Sequence, residues 1–292
     1  MKKEINFIKI TALVLSMLLL AFMAFNAWYL LFSPSEKLLS YLTVASKEPV
    51  TTLSHMQQYT LRGLGLLHGL SALILFLGIL KLELFKPQKE ASLLKWGIYT
   101  VILALVFYGG LLRTISNQQG AALLYFAVSL IYLMLSCIHK EHPKATSGTW
   151  SVVRQLPIYL MLFYTMGLPG YVKLFQAEAV LPRYNKMFQD SFIAGMPGGT
   201  AGMIILMGIF ELAVTLLLAI ALIRGEFRAH SSKPTFNSAL LLAVVTFSML
   251  CFGLLVIGNY QGAINLVFYA IFTFLLMVST TIEAPQSKHE QV

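Results

Sequence analysis

The chain has 292 residues, 58% of them hydrophobic and only 11% charged, with a mean hydropathy of +0.76. Soluble domains carry about 25% charged residues, so a soluble fold is excluded and the long apolar runs read as membrane-crossing helices of about 20 residues each. The net charge of +9 is scattered over short loops and forms no basic block, which argues for membrane topology and against a nucleic-acid partner.

Eight spans are predicted, near 8–32, 61–80, 94–113, 119–138, 154–172, 200–223, 236–257 and 261–282. The opening Met1-Lys2-Lys3 and its apolar run resemble a signal peptide. The run from Ile10 to Phe32 is longer than a usual h-region and no small-x-small cleavage site follows, so it reads as the first span. Pro34 is expected to stop it. Residues 33–60 mix Leu38, Leu39, Tyr41 and Leu42 with polar residues, the pattern of a short amphipathic helix on the outer face.

Span two begins near Arg62 and carries His68 between Gly65 and Gly69, a small-residue spacing that brings helices close. His68 lies about 9 Å inside the outer end at 1.5 Å per residue. A histidine there can relay a proton or hold a head group, or it is a satisfied core residue. Span three ends at Gly109-Gly110 and Arg113, and Asn117 and Gln119 lead into span four. Tyr125, Ser129, Tyr132 and Ser136 then fall on one helix face, to line a cavity or bond across helices. Cys137, His139, Glu141 and His142 cluster nearby but match no metal template.

Span five is expected to stop at Pro169-Gly170, leaving Lys173 in the outer loop 173–199. Phe175, Val180, Leu181, Phe188 and Phe192 predict an amphipathic helix in that loop as well. Span six holds the sharpest signal, Glu211, near its middle, with Gly208 and Thr215 on the same face. A carboxylate in the bilayer is costly, so Glu211 is a functional candidate and is expected to be protonated or paired. The alternative is a neutral glutamate bonding a neighbouring helix. Span eight follows Asn259 and Gln261 and carries the stripe Asn265, Tyr269 and Thr273.

The chain repeats itself. Ile115, Asn117, Gln119, Gly120, Ala121, Leu124 and Phe126 recur without a gap as Ile257, Asn259, Gln261, Gly262, Ala263, Leu266 and Phe268. Extending the match aligns His68 with Glu211 and Lys81 with Arg224, and places Pro34 and Lys37 after span one as Pro169 and Lys173 after span five. The predicted fold is therefore all-α, with eight transmembrane helices as two four-helix repeats, 1–145 and 146–292. An even-numbered unit gives two parallel copies about a pseudo-two-fold axis along the membrane normal. Lys and Arg are richer in the inner segments, which puts both termini in the cytoplasm.

Arg62, Arg113, Asn117, Gln119, Asn259 and Gln261 would together make an outer polar ring for an anionic head group. The plainer reading is snorkelling arginines and amides that cap a tight turn. Leu255 stands where a second copy of Arg113 would be. No phosphate-binding loop, zinc-protease motif or nucleophile elbow is present in the sequence, so no catalytic residue, metal ligand or enzyme class is assigned. One histidine within the spans also argues against a bis-ligated haem.

Ser33-Pro34, Arg62-Gly63, Gly109-Gly110, Arg113, Ser116 and Gln119-Gly120 in the first copy resemble the DoxX-like superfamily of small four-helix bacterial membrane proteins. So do Leu168-Pro169-Gly170, Lys173 and Gly208-Ile209-Phe210-Glu211 in the second. The resemblance implies a multi-pass bacterial inner-membrane protein, with quinone as a possible cofactor and a further membrane subunit as a possible partner. The expected function is an accessory or binding subunit that holds a lipid or quinone between the repeats, near Glu211 and His68. The alternative is a proton-coupled transporter that uses Glu211. The apparent lack of a broken helix near the midplane argues against transport.

Overall fold

The computed structural model describes residues 7–32, 55–85, 92–114, 118–141, 155–228 and 233–282. Among them every regular element is helical. Eight helical stretches are long and apolar enough to cross a membrane, and they coincide with the predicted spans to within a few residues. The chain divides into two compact units, Met1–Ser147 and Gly148–Val292, each with four of these spans.

In the first unit the spans are α1 (Phe7–Phe32), α2 (His55–Leu80), α3 (Ser92–Thr114) and α4 (Gln118–Glu141). Consecutive helices pack on one another. Close approach is set by small residues. A Cβ on Gly65 of α2 would lie 2.9 Å from Leu30 Cβ of α1, and one on Gly97 of α3 would lie 2.9 Å from Leu75 Cα of α2. Tyr125 of α4 lies over Gly109 of α3 in the same way. Outward faces carry large apolar residues such as Leu18, Phe25 and Trp28, the surface that lipid covers.

The second unit starts with α5 (Leu156–Leu162), a π-helical turn (Phe163–Gly167) and α6 (Leu168–Phe175), which together make the fifth span. Then come α7 (Ala177–Phe188), a 3-10 turn (Phe192–Gly195), α8 (Gly199–Ile223), α9 (Pro234–Val256) and α10 (Tyr260–Ile282). The expected stop at Pro169-Gly170 does not occur, because the π turn absorbs the proline. Leu168 N–H donates to Phe163 O, five residues back, and Pro169 follows with no N–H to place. Thr165 Oγ1 donates to Met161 O at 2.9 Å, supplying a donor where the helix is widened. Span five therefore runs on to Phe175 and is interrupted within, contrary to the expectation of unbroken helices.

The segment after the fifth span forms the expected helix as α7. Its Glu178, Arg183 and Lys186 are exposed while Phe188 is buried, and α7 packs against α8. The apolar residues predicted for the first outer loop, and its Pro34 and Lys37, lie outside the described residues.

Candidate functional site

The site is built on α6 and α8. On α8, Gly208, Glu211 and Thr215 share a face, as their spacing predicts. On the fifth span, Gly167, Gly170 and Lys173 recur every three residues and meet that face. A Cβ on Gly170 would lie 3.0 Å from both Glu211 Cβ and Leu212 N, and one on Gly167 would lie 3.3 Å from Thr215 Oγ1. A Cβ on Gly208 would lie 3.0 Å from Lys173 Cβ. Three glycines thus bring the two backbones close enough for the side chains between them to meet.

What meets there is an ion pair. Lys173 Nζ donates to Glu211 Oε1 at 2.5 Å. Lys173 is 5% exposed and Glu211 is 1% exposed. Glu211 stands twelve residues from each end of the 25-residue α8, so the pair lies deep in the span. Thr215 Oγ1 donates to Glu211 O at 3.0 Å, holding that turn of α8. Sequence reading found Glu211 and Thr215 but placed Lys173 in a loop, because the Pro-Gly step masked the continuing helix. The signal that would have found Lys173 is its position three residues after Gly170, on the Gly167–Gly170 face.

His68, which the sequence match aligns with Glu211, is fully buried on α2 of the first unit. Its Nδ1 lies 2.8 Å from Leu64 O, so it carries the proton and donates. Nε2 has no hydrogen-bond partner among the described residues. The ring meets Tyr108 edge-on at 5.7 Å. Gly65, three residues before His68, meets Leu30 and Leu31 of α1.

The residues expected in the outer ring belong to two units, and each is described within its own. Asn259 Oδ1 accepts from Gly262 N–H at 3.0 Å and caps α10. Gln261, Gln119 and Arg62 are exposed, and Arg113 sits half-buried in the last turn of α3. Asn117 lies outside the described residues. Two hydroxyls of the polar stripes turn to their own helices: Ser129 Oγ donates to Tyr125 O and Thr273 Oγ1 to Tyr269 O. The side chains of Cys137, His139 and His142 also lie outside the described residues, and no metal-binding group is found among those described.

Two buried carboxylates escaped sequence reading. Glu83, in a 3-10 turn (Glu83–Phe85), accepts from Leu94 N–H at 2.9 Å and caps the start of α3. Glu226 accepts from Phe236 N–H at 2.8 Å and Thr235 N–H at 3.3 Å, at the start of α9. Arg224 Nη1 donates to Thr235 Oγ1 at 2.8 Å beside it. Each carboxylate satisfies N–H groups that the first turn of a helix leaves orphaned.

Compared with protein-family models, curated proteins and solved structures, the chain matches none.

Proposed function

We propose that this chain is a proton-coupled transporter of a small molecule, in which the Lys173–Glu211 pair is the switch. One observation carries the reading: a buried ion pair joins the middle of α8 to a span that is interrupted by a π turn. Ionisable pairs inside spans mark proton and substrate paths, and π turns recur at functional sites. Protonating Glu211 would dissolve the pair and loosen α6 from α8, the change that a proton-driven carrier needs.

The setting is a bacterial inner membrane with both termini in the cytoplasm. The two units are copies of one DoxX-like unit, 1–145 and 146–292. The matched contacts support duplication: Gly65 with Leu30 and Leu31 in one unit, Gly208 with Lys173 and Leu174 in the other. The carboxylate caps Glu83 and Glu226 support it as well.

Proteoliposomes with a trapped pH dye test the reading. Challenged with a small-molecule extract of bacterial cells under an inward proton gradient, they should acidify, and Glu211→Gln should not. Wild-type protein that acidifies with no fraction of the extract would sink the proposal.

A second reading, an accessory subunit that holds a lipid or quinone, is favoured by one feature. Tyr171 and Phe175 on α6 flank Lys173 in sequence, are exposed, and pair their rings at 5.1 Å. Such a pair can stack on a flat headgroup. Native mass spectrometry on gently extracted protein would show a bound amphiphile that is lost in Tyr171→Ala with Phe175→Ala.

A further inference from the structure

From the chemistry of the Lys173–Glu211 pair we infer the substrate class: a monoanion, taken up together with one proton. The inference rests on the transporter reading and deepens it. In the closed state the ammonium and carboxylate offset one another in a place where neither is stable alone, since breaking a buried pair by neutralising one partner leaves the other uncompensated. A proton on Glu211 therefore strands the Lys173 ammonium. The stranded charge is relieved when an anion takes the place of the Glu211 carboxylate against Nζ.

The balance is simple. Glu211 gains one proton and becomes a neutral acid, Lys173 keeps its charge, and the anion makes the new ion pair. The site is neutral before and after, with the proton and the anion entering together. A cation would instead need Lys173 to lose its proton.

The charged groups around the pair agree. α9 and α10 contain no Asp, Glu, Lys or Arg, and Glu178, Arg183 and Lys186 of α7 are exposed. Tyr164 is half-buried and Tyr171 is half-exposed on the fifth span. Lys173 faces Glu211 from α6. Room for the anion comes from parting the fifth span from α8, a contact that includes Gly167, Gly170 and Gly208. The π turn at Phe163–Gly167 lies at the base of the moving segment.

Binding of four probes to the purified full-length protein tests this: methanesulfonate, octanesulfonate, octyltrimethylammonium and octanol. The sulfonates stay monoanionic and carry no proton of their own. At least one sulfonate should bind, with affinity falling about tenfold per unit rise in pH, the slope for one coupled proton. Binding of methanesulfonate marks an anion from water, and binding of octanesulfonate alone marks one from the lipid phase. Glu211→Gln should bind the same anion with no pH slope. Lys173→Met combined with Glu211→Gln, which removes both charges and so avoids a stranded ion, should bind at least tenfold more weakly. Sulfonate binding without a pH slope in the wild type, no sulfonate binding, or pH-dependent binding of the ammonium probe would overturn the inference. If the extract still acidifies proteoliposomes in any of these cases, the transporter reading stands and only the anion class falls. If it does not, both fall.

Discussion

A Cβ placed on Gly208 would lie 3.0 Å from Lys173 Cβ, so the absence of a side chain at 208 is what lets α6 lie against α8 with its lysine aimed at Glu211. The glycine and the ion pair are one structural device. Small residues drive close helix contact in lipid, where no hydrophobic effect separates helix from solvent. The ion pair then fixes the register of that contact.

The pair should behave as a coupled unit in stability. Glu211→Gln or Lys173→Met alone is expected to cost about 3–5 kcal/mol, because each leaves a buried charge without its partner. The double replacement should cost less than either single change. Reversible unfolding in mixed micelles checks this, and single changes that cost under about 1 kcal/mol would mean that the pair is not buried in the working protein.

Glycine substitutions should divide by position. Gly208→Leu and Gly170→Val push a side chain into the facing helix and should cost about 1–3 kcal/mol, the range for overpacking. Gly63→Ala, with no atom within 4 Å of the new Cβ, should be neutral or stabilise by up to about 1 kcal/mol, since alanine suits a helix better. Thermal denaturation in detergent ranks the three, and an equal loss at all of them would contradict the packing described.

The capping carboxylates should matter for folding. Glu226→Ala removes the acceptor for two helix-start N–H groups and Glu83→Ala the acceptor for one. Each should lower stability by about 1–2 kcal/mol, with Glu226 the more sensitive. Glu178→Ala, exposed on α7, should stay within about 0.5 kcal/mol.

Asn259 and Gln261 separate the capping and ring readings. Asn259→Ala should cost about 1 kcal/mol through loss of its bond to Gly262 N–H. Gln261→Ala, at an exposed position, should stay within about 0.5 kcal/mol. Loss of anion binding in Gln261→Ala with unchanged stability would favour the outer ring.

The eight spans were legible in the sequence because hydropathy over 20 residues is a bulk property that neighbours do not alter. Glu211 was legible for the same reason, since one carboxylate in an apolar run stands out without any knowledge of its partner. Thr215 followed from helical spacing. The internal match in sequence was legible too, and it pointed to Asn259 at the start of α10, where the structure finds a cap.

Only the tertiary structure decided what those residues do. Pro169-Gly170 reads as a stop by local rules, yet the widened turn at Phe163–Gly167 lets the helix continue and carries Lys173 to Glu211. Local propensity describes a residue and its chain neighbours, whereas a buried charge is stable or not according to what lies across the helix contact. The composition of this chain determined that it crosses a membrane and that a carboxylate lies within it. The packing of α6 on α8 decided that the carboxylate is paired, and with which residue, because in a low-dielectric interior the partner's distance sets the energy.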